Sequence, residues 1–119
     1  MKSYTDLEQS KKLAEILPIE TADMRYDEYI SYIDGTPKVG YKKSVTDGIP
    51  CWSLAPLLGV MPKEIVYKGK IVFLEFRIWD TSLEYANDDG YILYATESYD
   101  NLIDAAFEMA CWLKENRML

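Results

Sequence analysis

The chain carries two cysteines, Cys51 and Cys111, twenty acidic residues and no histidine. Without histidine it lacks the usual general base near neutral pH, the histidine-centred triads and the commonest metal ligand. Cys51 stands in the one long uncharged stretch, Ile49-Pro50-Cys51-Trp52-Ser53-Leu54-Ala55-Pro56-Leu57-Leu58-Gly59-Val60-Met61-Pro62, of a chain in which 28% of residues are charged. A thiol near a helix start can have a lowered pKa, but Cys51 has apolar neighbours and no histidine to activate it. It reads as a buried core thiol, and Ser53 is disarmed for the same reason. Two lone cysteines cannot build a four-ligand zinc site without carboxylates, and no CxxC pair occurs.

Carboxylates are the remaining chemistry-bearing groups. Glu75 and Glu84 lie within hydrophobic strand-like runs, where burial raises a carboxyl pKa and two acids could share acid–base work. Glu75 is spaced to share a strand face with Arg77, which points instead to a solvated ion pair. The run Asn87-Asp88-Asp89-Gly90 invites a calcium reading. Setting Gly90 at the glycine of an EF-hand loop puts Tyr85 at the first ligand position and leaves no glutamate at the last, so the run reads as a turn. No phosphate-cradling glycine motif or nucleophile elbow occurs. The sequence thus assigns no catalytic residue, no metal ligand and no cofactor.

Tyrosine is the compositional anomaly, at ten residues of 119. Tyr26, Tyr29, Tyr32 and Tyr41 crowd one predicted hairpin, and Tyr85, Tyr91, Tyr94 and Tyr99 the second half. Tyrosines fill half-buried strand positions, with the ring inside and the hydroxyl wet, and they are also enriched at interfaces. If the chain has a binding face, these considerations put it at Tyr26, Tyr29, Tyr32 and Tyr41.

The elements that must position these residues follow from pattern and punctuation. Thr5-Asp6-Leu7-Glu8 matches a capping box, and a helix from Asp6 to Leu17 ends before Pro18. Met24 to Ile33 reads as a strand turning at Asp34-Gly35, with Lys38 to Tyr41 returning and Pro37 marking an edge. Residues 42–48 read as loop. In the uncharged stretch, Ser53 is the expected N-cap of a short helix over Leu54 to Leu58, with Gly59 in the left-handed position after it. Glu64 to Tyr67 and Ile71 to Trp79 form a hairpin about Lys68-Gly69. In the longer strand Val72, Leu74, Phe76 and Ile78 are expected in the core, and Phe73, Glu75, Arg77 and Trp79 on a half-exposed face. Leu83 to Ala86 reads as a shorter strand or irregular edge, and Tyr91 to Glu97 as a further strand. Ser98 or Asp100 caps a last helix, Asn101 to Glu115, whose wide apolar arc demands packing across a sheet. The predicted fold is a single α+β domain, residues 1–119, with an antiparallel sheet of about four to six strands. An N-terminal helix, a short middle helix and a packed C-terminal helix complete it.

Composition bounds the partners. A formal charge of −7 and only isolated lysine doublets disfavour phosphate backbones, where affinity comes from basic side chains displacing counterions. Nucleic acid is therefore not an expected partner. No run is long and uncharged enough to span a membrane. The polar Met1-to-Asp6 segment lacks a signal-like apolar core, so the expected location is cytoplasmic, with both thiols reduced.

Ser10-Lys11-Lys12-Leu13-Ala14-Glu15-Ile16-Leu17-Pro18, Ala22-Asp23-Met24, Pro50-Cys51-Trp52-Ser53-Leu54, Asp89-Gly90-Tyr91 and Ala105-Ala106-Phe107-Glu108-Met109 occur in that order. In this the chain resembles small uncharacterised proteins of gut anaerobic bacteria, often carried in prophage-like or other mobile elements. The resemblance covers most of the chain and implies a bacterial or phage protein; it transfers no activity and no catalytic residue.

The function expected from the sequence is that of a small acidic, non-enzymatic protein-interaction factor that binds a protein partner or itself. A carboxylate-based enzyme, such as a glycan-acting hydrolase using two acids, is the alternative. A DNA-mimic inhibitor is a third reading, which the dispersal of acids among bases weakens.

Overall fold

The computed structural model describes residues 2–30, 37–41 and 48–119. Chain order is α1 (Leu7–Ile16), a 3-10 turn (Ile19–Thr21), β1 (Met24–Ile30), β2 (Pro37–Tyr41), β3 (Ile49–Cys51), α2 (Leu54–Gly59), β4 (Glu64–Tyr67), β5 (Lys70–Arg77), β6 (Ser82–Ala86), β7 (Ile92–Ala95) and α3 (Leu102–Glu115). The class is α+β with antiparallel pairing and helices at the start, middle and end, as expected. The strands divide into two sheets, ordered β2-β1-β3 and β4-β5-β6-β7. Pro37 lies on the edge strand β2, where its missing N–H leaves no ladder bond unmade. The expected Asp34-Gly35 turn, Tyr32 and the loop at 42–47 lie outside the described residues.

The N-terminal cap sits one residue later than the sequence suggests. Asp6 is the N-cap: its side chain accepts from the Gln9 amide at 2.8 Å, and the Gln9 side chain accepts from the Asp6 amide at 3.1 Å. Thr5 is instead drawn into the core. Its Oγ1 accepts from the Trp52 amide at 3.1 Å and shares a 2.8 Å hydrogen bond with Ser10 Oγ. A buried hydroxyl must find partners, and here they come from elements 5 and 47 residues away in the chain.

The uncharged stretch forms more structure than a corner. Ile49–Cys51 pairs with β1, in register Met24↔Cys51 and Tyr26↔Ile49. Ser53 precedes α2 but makes no capping bond. Its amide donates to Asp23 Oδ1 at 2.9 Å and its hydroxyl to Asp23 Oδ2 at 2.5 Å. Gly59 ends inside α2 rather than in the left-handed region, and Val60 closes the helix in a right-handed conformation. Trp52 and Leu57 are fully buried, with Leu54 and Leu58 packed against the same core.

The four-stranded sheet is a meander. Lys68 and Gly69 both take positive φ between β4 and β5, the twist-matched geometry of a two-residue hairpin. β6 is an inner strand, paired with both β5 and β7, and Leu83, Tyr85 and Ala86 on it are buried; the edge reading is corrected. Val72, Leu83 and Tyr85 meet Ala105, Ala106, Met109, Ala110 and Leu113 of α3 in one core that also takes in Leu13 and Trp52. Asn101 caps α3, accepting from the Asp104 amide at 2.9 Å, in place of Ser98 or Asp100.

Alternation along β5 does not carry through to burial. Val72 is fully buried, but Phe76 is 56% and Ile78 76% exposed. A groove separates these two from Leu54 and from the first turn of α3, so no described residue covers the far end of the strand.

Candidate functional site

The groove lies where four segments converge: the N-terminal residues before α1, the start of α2, the end of β5 and the start of α3. Its volume is about 440 Å³, and Leu54, Phe76, Ile78, Leu102 and Ile103 make its walls apolar. The wall formed by the N-terminal residues is anchored to α3. Lys2 Nζ donates to Asp104 Oδ1 at 2.7 Å and to Asp6 Oδ2 at 3.0 Å, and Gln9 Nε2 reaches the same Asp104 oxygen at 2.7 Å. Burial is the largest influence on both Lys2 and Asp104 and opposes their charges, but their polar partners together outweigh it: Asp104 and Asp6 raise the Lys2 pKa, and Lys2, Gln9 and Asn101 lower that of Asp104.

Beside the groove the chain turns from β5 into β6 through Ile78-Trp79-Asp80-Thr81. The loop is ordered by short-range polar contacts. Ser82 Oγ donates to Asp80 Oδ1 at 2.9 Å, Arg77 Nη2 lies 3.8 Å from Asp80 Oδ2, and Thr81 takes a left-handed φ of 49°. The Tyr99 amide donates to the Thr81 carbonyl at 3.2 Å and ties the loop to the segment ahead of α3. At its tip Trp79 is 94% exposed. A tryptophan held in water on a tethered turn, next to two exposed apolar neighbours, is the informative kind of surface feature.

The tyrosines singled out in the sequence are placed differently. Tyr26 is buried: its hydroxyl donates to the Thr5 carbonyl at 2.8 Å, and its ring meets Tyr4 edge-on at 6.3 Å. Burial pushes its pKa well above the ordinary tyrosine value. Tyr29 and Tyr41 belong to β1 and β2, with side chains outside the described residues, as is Tyr32. In the second half, Tyr94 stacks on Trp112 at 4.4 Å, and both it and Tyr99 donate to Glu108, Tyr99 at 2.6 Å. The Glu97 amide adds a third donor at 3.0 Å. Burial opposes the Glu108 charge, yet these bonds outweigh it and hold the carboxyl below its usual range. Burial, followed by the bond to Glu108, pushes Tyr94 up to about 12. This cluster joins β7 and the following segment to α3, and every polar atom it uses is engaged.

Glu75 and Glu84 are direct cross-strand partners on β5 and β6. Glu75 is exposed, while Glu84 is half-buried, its Oε2 unpartnered by hydrogen bonds and 3.9 Å from Arg77 Nη1. Like charges opposite one another on a sheet are unfavourable, and Arg77 offsets this pair. The two do not face each other across a concavity, which acid–base hydrolysis requires. Cys51 is fully buried and its thiol donates to the Thr5 carbonyl at 3.4 Å; burial pushes its pKa up, the reverse of an activated nucleophile. At 87–90 a turn is observed, with Asn87 Oδ1 accepting from the Asp89 and Tyr91 amides. Among the described residues no group of three potential ligands could hold a metal ion, and no helix is long and apolar enough to cross a membrane.

The sequence reading missed the groove and Trp79. Strand alternation puts Trp79 on a half-exposed face, whereas β5 ends at Arg77 and Trp79 lies in the turn that follows; an apolar Ile-Trp pair followed by Asp-Thr is the available signal of that hydrophobic turn. Searches against protein-family models, curated proteins and solved structures find no match.

Proposed function

We propose that this chain is a small acidic, non-enzymatic interaction protein, an accessory factor of a bacterial or phage mobile element acting in the cytoplasm. In this reading it binds protein through the apolar end formed by Phe76, Ile78, Trp79 and the groove beside them. The observation that carries the reading is Trp79, which is 94% exposed on a tethered turn. Exposed tryptophan and its aliphatic neighbours form the kind of anchor cluster that dominates binding energy at interfaces. A concave apolar wall beside the anchor offers a partner side chain a place to be fully desolvated. The chemistry found elsewhere supports the non-enzymatic reading: Cys51, Ser53 and Glu108 are all engaged in structural hydrogen bonds.

The test compares tagged wild-type bait with a Trp79→Ser bait in native lysate. Wild type is expected to retain a specific protein, whether a different chain or an untagged copy, and the variant to lose it. Equal recovery by both baits, with both folded by circular dichroism, overturns this assignment of the surface.

A further inference from the structure

We propose that Thr81 is a positioning residue: its strained left-handed backbone, held by polar contacts on both sides, fixes the turn that presents Trp79 before any partner binds. This rests on reading Trp79 as an anchor, and it adds what keeps the anchor in place.

The turn reverses the chain between Arg77 and Ser82, which are cross-strand partners, so four residues make the whole reversal. The last of them, Thr81, supplies a left-handed step with φ of 49°. Among the described residues, the other non-glycine positions with positive φ are Lys68 and Arg117. Lys68 lies in the two-residue hairpin, and Arg117 follows the α3 cap Asn116. Left-handed backbone is the ordinary solution at both places, and neither side chain branches at Cβ. Thr81 does branch there. Two heavy atoms on Cβ crowd the backbone in this region, whereas glycine has no Cβ and asparagine tolerates the conformation. Such strain persists only where the surroundings over-determine it, and it is concentrated at sites that need preorganisation.

The surroundings of Thr81 meet that condition. Before it, Asp80 accepts from Ser82 Oγ at 2.9 Å and lies 3.8 Å from Arg77 Nη2. At Thr81 itself, the carbonyl accepts from the Tyr99 amide at 3.2 Å. These contacts fix the backbone next to Trp79 without using its side chain, which stays 94% exposed. The cost of ordering the turn is thereby met on folding instead of on binding, which is what preorganisation means energetically. Thr81 also lines the groove, a use for its branched side chain that glycine would forgo.

Thermal unfolding and backbone NMR relaxation of the full chain test this with Thr81→Asn, Asp80→Ala and the double variant. Thr81→Asn keeps the turn with less crowding. It is expected to raise Tm by about 3–6 °C and to leave the Trp79 amide as ordered as in wild type, with an order parameter of about 0.85. Asp80→Ala removes a tether while the strain remains, so the Trp79 order parameter should fall below about 0.6. The double variant should recover the wild-type value, because a residue at ease in the left-handed region does not need the tether. Capture of protein from native lysate should be lost by Asp80→Ala and regained by the double variant. A Tm of Thr81→Asn that is unchanged or lower, a mobile Trp79 amide in wild type, or a double variant as mobile as Asp80→Ala each overturns the proposal. Capture by Asp80→Ala equal to that of wild type also overturns it, and leaves the interaction reading standing if capture still requires Trp79. A wild type that captures nothing removes the interaction reading and the presenting role together.

Discussion

Glu108 accepts from Tyr94, Tyr99 and the Glu97 amide, so removing its carboxylate tests how β7 is fastened to α3. Hydrogen bonds to a charged group contribute roughly 1.5–3 kcal/mol each when buried. These donors are only partly shielded and regain water when the acceptor is lost, so the three do not sum. We expect Glu108→Ala to cost about 2–4 kcal/mol, and Glu108→Gln, which keeps one acceptor oxygen and the shape, about 1–2 kcal/mol. The pH dependence gives the sharper check. The folded-state pKa of Glu108 is depressed below the ordinary 4.5, so at acid pH the unfolded chain binds this proton first. The contribution is complete above pH 4.5 and disappears as pH falls through the folded value. Tyr94 acts with the opposite sign. With its pKa raised from 10 to about 12, it adds stability that is complete below pH 10 and lost as pH rises through the folded value. Urea unfolding of wild type and Glu108→Gln from neutral pH towards pH 3 should show a gap that is constant near neutrality and closes below pH 4.5. A gap under about 0.5 kcal/mol, or one that does not narrow in acid, would refute the assignment of these bonds as a fastening.

Two further predictions concern the uncharged stretch. Trp52 is fully buried and its Nε1 donates to Thr21 Oγ1 at 3.0 Å, so Trp52→Ala should destabilise by about 3–5 kcal/mol in a urea melt; an unchanged midpoint would show that the side chain is not in the core. Cys51 should resist a thiol reagent in the native protein, as burial both blocks access and raises its pKa. In a Cys111→Ser background, labelling is expected only after denaturant is added, and rapid native labelling would contradict the buried placement.

Where local physics decides conformation, the sequence was legible. Pro18 ends α1, Lys68-Gly69 turns a hairpin, and the broad apolar arc of α3 meets a sheet. β3 was not read, because Pro50 within so short a run lacks the alternation of a strand; its pairing with β1 comes from residues 24–26. The cap shifted from Thr5 to Asp6 because Ser10 and Trp52, brought close only by folding, claim the Thr5 hydroxyl. The candidate site was the least legible part. Phe76 and Ile78 share the alternation of Val72, and period alone cannot tell a covered end of a strand from a bare one.

By itself, then, the sequence determined the α+β class, the helices at the start, middle and end, and the lack of histidine-based chemistry. Those properties depend on residue type and short-range spacing. The tertiary structure alone decided that Trp52 and Cys51 lie inside, that Glu75 is exposed while its cross-strand partner Glu84 is half-buried, and that Trp79 is exposed on the turn that follows β5. Burial is set by what packs over a residue, and α3 and α2 cover one end of the sheet while leaving the other in water.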